Sequence, residues 1–484
     1  MRPLPRLLPI LAAACASIAV VASIAAPASV LAGTPNPRMI RELTPGPDGV
    51  NPNELYVLGV VGGRALFRVN ADPSIGGELY RIDGTRAGTG LVKDIFPGPT
   101  GSETGTPFVA MNGLGYFTAT DPAHGHELWR SNGTSAGTHL VADIGPDNAD
   151  SAYLWGRFGN RLVVQQTDGT GIGQHGEELW GSTGTSAGTK RMTDVAPGPA
   201  DSLFAGVTPL GAKLLFISDN GTSGLELFRS DGTPGGTHLV KDVNEEPGGI
   251  LSYPGGGTTP VRWKGAIWYY ASDGVSGDPG DHGGELWRSD GTAGGTRMVK
   301  DIAPGTDSTF IAWLRPLGDH LLFRAEGPVG GGELWTTDGT ARGTHRVKDL
   351  YPGPTSSQPF PMGVIGGRLL LAANGGPTVG WEVFVTDGTR VGTKLLKDIA
   401  PGGADSDPRD WVTLGGRIYF SAANAAKGRE LWVTNGTPAG TRRLSDINPG
   451  KSDANVGDLV AVGKRIVFFA DDGTHGLEPW VYVP

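Results

Sequence analysis

The stretch Arg429-Glu430-Leu431-Trp432-Val433-Thr434-Asn435-Gly436-Thr437-Pro438-Ala439-Gly440-Thr441 decides the fold. Glu430 to Thr434 is a short run rich in apolar, aromatic and β-branched residues, the composition of a strand. Asn435-Gly436-Thr437 then reverses the chain: Asn accepts bonds from the following amides, Gly takes a positive φ and Thr re-enters extended backbone. Thr441 to Ile447 returns as a second strand, and Pro449-Gly450 ends it. Working backwards, Ala426-Lys427-Gly428 is a loop, Arg417 to Ala422 a strand, Gly415-Gly416 a tight turn and Asp410 to Leu414 a further strand. Connections this short impose an antiparallel meander, because parallel neighbours need a crossover of roughly a dozen residues or more.

The same pattern occurs nine times, with its Glu at 78, 127, 178, 226, 285, 333, 382, 430 and 478, a period of about 50 residues. Two residues after each Glu stands an aromatic: Tyr80, Trp129, Trp180, Phe228, Trp287, Trp335, Phe384, Trp432 and Trp480. One four-stranded meander cannot cover both its faces, so copies must stack, and radial stacking builds a propeller. The chain opens with Arg41-Glu42-Leu43-Thr44-Pro45-Gly46, which matches a fourth-strand ending such as Lys397 to Gly402. It ends at Glu478-Pro479-Trp480-Val481, a third strand without a fourth. The two fragments complete one unit, and pairing them removes the exposed edge that a linear array would leave. The expected fold is all-β: a single closed β-propeller of about nine four-stranded antiparallel blades, spanning 38–484, with the N-terminal strand closing the last blade. Since propellers usually have about four to eight blades, eight is the alternative count.

The Glu-Leu-Trp-x-x-Asp-Gly-Thr signature resembles the ELWxxDGT-repeat proteins of bacteria, exported repeat proteins without a uniform assigned activity. The resemblance covers essentially all of 38–484. It departs from the pattern at Tyr80, Phe228, Phe384 and Pro479, and at Asn132, Thr183 and Asn435 in the Asp position. What it implies is an exported repeat scaffold, not a reaction.

Composition agrees with a turn-rich β protein: 80 Gly and 37 Pro make up about a quarter of the 484 residues, yet 37 aromatics supply core material. Arg2 and Arg6 precede an apolar run from Leu7 to Ala26, with small-residue cleavage patterns at Ala26-Pro27-Ala28 and Val30-Leu31-Ala32. Residues 1–32 therefore read as a cleaved export signal, with an uncleaved anchor as the alternative, and 33–37 as a short linker. The only cysteine, Cys15, lies inside this segment. Without Arg2 and Arg6 the chain carries 38 basic against 49 acidic side chains, a net charge of −11. That repels phosphate backbones and excludes nucleic acid as a partner. The expected setting is secreted, at the cell surface or periplasmic in a bacterium, as a monomer with no membrane span after signal removal.

Local motifs reduce mostly to structure. The recurring aromatics fit packing between blades better than a ring for stacking sugars. Each motif Glu and the Lys of its closing strand, such as Glu78 and Lys93, are expected to form a cross-strand ion pair. Gly133 to Gly137 and Gly184 to Gly188 spell Gly-x-Ser-x-Gly, but they fall on hairpin turns, whereas a nucleophile elbow needs a strand-to-helix turn. No His has a carboxylate or a second His at metal-ligand spacing. The largest irregularity is the 59-residue interval from Glu226 to Glu285, against a commonest interval of 48. Its insertions fall before the first strand and between the second and third strands, hence on one face. They supply the ligand-site candidates Glu245, Glu246, Tyr253, Asp273, Asp278, Asp281 and His282. Asp273, Asp278 and Asp281, interleaved with glycines, could wrap their oxygens around calcium, the one cofactor entertained. The function expected from near-identical blades is an exported binding or surface-interaction scaffold for a protein or carbohydrate ligand, with no evident catalytic site. The alternative is a propeller-type hydrolase or lyase acting on extracellular glycans.

Overall fold

The computed structural model describes residues 37–145, 152–169, 173–244, 249–250, 259–274, 281–305, 307–327 and 330–484. The expected export signal, all of the linker but Pro37, and Glu245, Glu246, Tyr253 and Asp278 lie outside the described residues.

The strands form nine four-stranded sheets, eight of them sequential meanders. The protein is a nine-bladed β-propeller. Blade eight is typical, with strands at Arg409–Leu414, Arg417–Asn424, Gly428–Thr434 and Arg442–Arg443, running from the channel outwards. The ninth blade takes its outer strand from the other end of the chain: Arg38 pairs with Val481 and Met39 with Trp480. Ile40 N–H extends the ladder to the Pro479 carbonyl at 2.8 Å. Across the same seam, Arg465 of blade nine donates to the Asp83 carbonyl of blade one at 2.8 Å.

The second strand of each blade is buried on both sides because a neighbour covers each face. In blade one, Ala65, Phe67 and Tyr80 pack on Val467, Phe469 and Val481 of blade nine. Leu66 and Leu79 instead pack on Phe117, Ala119 and Trp129 of blade two. Period-two alternation thus serves two hydrophobic layers rather than one core and one wet face. Eight of the motif aromatics are 4 to 9% exposed, from Phe228 and Trp287 at 4% to Trp335 at 9%, and Trp180 is half-buried. In the hairpin turns the motif Asp holds the following Thr: Asp387 Oδ1 accepts Thr389 N–H at 2.9 Å and its hydroxyl at 2.7 Å. Ser135 and Ser186 are exposed in hairpin turns of this kind, Ser135 opening the single-turn 3-10 helix Ser135–Gly137, and neither stands at a strand-to-α-helix elbow.

The motif glutamates do something other than pair with lysine. The register between the outer strands slips after Leu79, so Lys93 stands opposite Leu79 and not opposite Glu78. Glu78 is fully buried and accepts the backbone N–H groups of Ile95 and Phe96, at 2.8 and 3.1 Å. Lys93 reaches to the next blade, donating to the Thr138 carbonyl at 3.1 Å. Glu382 repeats this on Ile399 and Ala400, and Glu478 on Leu43 and Thr44 across the closing seam. Each glutamate therefore caps the backbone where the outer strand peels away towards the next blade. That explains why the fourth strand of blade eight stops at Arg443, short of the expected Ile447: Glu430 draws the Ile447 amide off the sheet edge at 2.9 Å.

Candidate functional site at the channel mouth

Nine inner strands line the central channel, and eight of them shift register against the second strand; the fifth does not. A bulge bends its strand and re-aims a side chain. In most blades glycine or an apolar residue occupies it, but in blades eight and nine it carries Asp410 and Asp458, both with left-handed backbone, φ 48° and 53°. Strained backbone of this kind is a feature of functional sites.

The two aspartates stand on adjacent inner strands. A Cβ at Gly457, the residue before Asp458, would lie 3.5 Å from Asp410 Oδ2, so the Asp410 carboxyl reaches across to blade nine. Their surroundings differ. Asp410 Oδ2 is 3.9 Å from Arg409 Nε. Asp410 also lies within the field of Arg429, whose side chain is 5% exposed. Arg429 donates to the Asp407 carboxylate and carbonyl at 2.7 and 2.8 Å and to Ser421 Oγ at 3.3 Å. The channel wall desolvates Asp410 and raises its pKa, while the two guanidinium groups oppose that rise. Asp458 is half-buried with no cation to oppose its desolvation, and the nearby Asp410 charge adds to it, so its pKa is pushed up to about 7. Two like carboxyls in unequal fields are equipped for complementary proton-transfer roles. Aromatic rings flank them: Phe360 of blade seven makes an edge contact with Trp411, the residue after Asp410, at 5.6 Å.

The insertion loop looks more ordinary than its sequence. Asp273 accepts the His282 backbone N–H at 3.0 Å and meets its ring Nδ1 at 2.9 Å. The same clasp recurs as Asp121 with His124, Asp168 with His175 and Asp472 with His475. These four histidines therefore do have carboxylate partners, contrary to the reading from spacing, because the loop folds back on itself. Asp281 is buried and accepts Gly283 N–H at 2.6 Å. The structure brings together Asp273 and His282 from the predicted set; Asp278, Glu245, Glu246 and Tyr253 lie outside the described residues. Asp410, Asp458, Arg409 and Arg429 were missed. The one available signal was that Asp410 and Asp458 stand 48 residues apart, one full period, in strands otherwise poor in charge.

No family model matches the sequence, and no curated protein matches it. Solved structures do. Porphyromonas gingivalis dipeptidyl peptidase 4 is 12% identical with a TM-score of 0.45, covering 73% of this chain and 54% of that one. A prolyl endopeptidase is 13% identical at a TM-score of 0.41, with 81% and 55% covered. A puromycin-hydrolyzing peptidase of Mycobacterium tuberculosis is 10% identical at 0.40, with 76% and 57% covered. The chain thus spans little more than half the length of the structures it matches, and the likeness is one of fold. Against the expectation of a non-catalytic binding scaffold, the solved structures it resembles in fold are named as peptidases and hydrolases. In the channel, blades eight and nine depart from the even repeat and gather unlike ionisable groups.

Proposed function

We propose that the protein is a hydrolase or lyase whose proton transfers are carried by Asp410 and Asp458. The observation that supports this reading is the placement of the two carboxyls at equivalent bulges of adjacent inner strands, one beside guanidinium groups and one beside none. Asp458, protonated up to about pH 7, is the general acid and delivers its proton to the leaving-group atom. Asp410, beside Arg409, is the carboxylate base. In hydrolysis it takes a proton from water as the water oxygen bonds to the scissile centre; in elimination it takes the proton from carbon. Either way the bond to the leaving group breaks with its electron pair, which the Asp458 proton satisfies. Arg409 and Arg429 favour the ionised form of Asp410 against its desolvation and bind no leaving group in this scheme.

The test is turnover of a panel of chromogenic glycosides, soluble polysaccharides and peptidyl nitroanilides by the full chain, Asp410→Asn and Asp458→Asn. Turnover should fall by roughly a hundredfold or more in each variant, the usual worth of a positioned acid or base. Activity that survives both substitutions, or no turnover across the panel, would overturn the proposal.

A further inference from the structure

The rim around the carboxyl pair carries rings that the core does not require. Tyr56 pairs with Arg68, Tyr153 with Gln165 and Phe360 with Ala372, and Arg409 pairs with Ser421. These four second-strand partners each follow the residue opposite the motif aromatic, so Tyr56, Tyr153, Phe360 and Arg409 occupy one ladder position in blades one, three, seven and eight. Phe310 precedes that position by two residues in blade six, on the same side of its strand. Gly105, Ala205 and Gly457 fill it in blades two, four and nine. The fold therefore accepts no side chain or a methyl here, and burial cannot be why rings were placed. Indeed they stay wet: Tyr56 and Phe310 are 48% exposed, Phe360 43% and Tyr153 39%.

Two of the rings lie beside a cation: the Arg68 guanidinium is 6.0 Å from the Tyr56 ring centre and that of Arg324 is 5.4 Å from Phe310. The other two meet a second ring edge-on, Tyr153 with Trp155 at 4.7 Å and Phe360 with Trp411 at 5.6 Å between centroids. A protein partner would meet a contiguous apolar patch. Here flat rings alternate around the rim with glycine, alanine and charge. That pattern suits a ligand with apolar faces and a hydroxylated edge, and the net charge of the chain disfavours nucleobases on a phosphate backbone.

We infer that the ligand of the channel mouth is a glycan chain, its sugar rings seated on Tyr56, Tyr153, Phe310 and Phe360 with one linkage presented to Asp410 and Asp458. This rests on the acid–base reading of the same site but is separable from it. Phe360, in contact with Trp411, is the platform beside the carboxyls, and Tyr56 lies on the far side of blade nine from Asp410.

The experiment uses full-length Asp458→Asn, which retains the rings, on an array of neutral and uronate oligosaccharides, followed by calorimetry with the best binder. Tyr56→Ala and Phe360→Ala, made in the same background, should each weaken that binding at least tenfold with unchanged melting. Val391→Ala, at a 90% exposed turn position, should leave it as it was. Absence of any bound oligosaccharide, or equal affinity in the ring variants, overturns the inference. If the wild type turns over a non-glycan substrate through Asp410 while both ring variants keep full rate, the glycan inference fails and the acid–base reading stands. Glycan binding that depends on Tyr56 and Phe360 without turnover gives the converse.

Discussion

Replacing Glu382 with alanine separates two accounts of the repeat, because the ion-pair account and the capping account assign it very different energies. Glu382 is fully buried and its two oxygens accept Ile399 N–H at 2.9 Å, Ala400 N–H at 2.8 Å and the Ser406 hydroxyl at 2.7 Å. Removing the carboxyl leaves two amides without acceptors, at about 1 to 3 kcal/mol each. Desolvation raises the Glu382 pKa, so deleting the charge gives part of this back, and the net expectation is a loss of about 2 to 4 kcal/mol. The companion variant is Lys397→Ala, the lysine of the same blade's closing strand. Lys397 stands opposite Val383 at a partly exposed site, and its loss should cost less than about 1 kcal/mol. Were each Glu held by a lysine at the surface, both variants would cost the same small amount. Scanning calorimetry gives the comparison, and hydrogen exchange at Ile399 and Ala400 localises it: those two amides should lose protection in Glu382→Ala alone. Equal melting shifts in the two variants, with protection retained at 399 and 400, would refute the capping account.

Stability should fall between pH 5 and pH 8. Burial pushes Glu127, Glu226, Glu285, Glu430 and Glu478 up to about 7 from a usual 4.5, so in this window the folded chain holds protons that the unfolded chain has released. The raised pKa values of His282 and His475 act with the same sign, and a melting temperature equal or higher at pH 8 would contradict this. Removing residues 1–50 takes away the Arg38 and Met39 pairing, the amides capped by Glu478 and the buried Ile40 and Val50. The truncated protein should lose several kcal/mol, and an unchanged melting temperature would show that the ring does not depend on this strand. Trp287→Ala, at a site 4% exposed, should cost about 3 to 5 kcal/mol without loss of ligand binding, checked by denaturation beside a binding assay. For turnover, the pH profile should be bell-shaped, with its alkaline limb near 7 from Asp458 and its acid limb from Asp410, whose pKa desolvation raises; a rate that keeps rising above pH 8 speaks against Asp458 as the acid.

The architecture was readable because it rests on local, repeated chemistry. Gly436 with φ 82° and its counterparts Gly232 and Gly388 sit in turns that only a few residue types form easily. A period near 50 with these turns, and a final third strand matched by an opening fourth-strand ending, leads to a closed ring whatever the side chains between them do. The role of the motif glutamates was not readable, since it depends on a one-residue slip between Leu79 and Tyr80 that no alternation pattern records.

The sequence by itself thus determined the strands, their order and the seam, and put the blade count at nine or eight, because backbone hydrogen bonding and period-two burial are properties of neighbouring residues. Only the tertiary structure decided which side chains meet in the channel. Asp410 and Asp458 are a full period apart and become neighbours only when blades eight and nine stand side by side and both inner strands bulge. Likewise Tyr56, Tyr153 and Phe360 share a rim only because the ring closes, which brings positions about 300 residues apart in the chain to one ladder level. Proximity across a closed ring, and the desolvation that follows from it, are global properties that no single repeat contains.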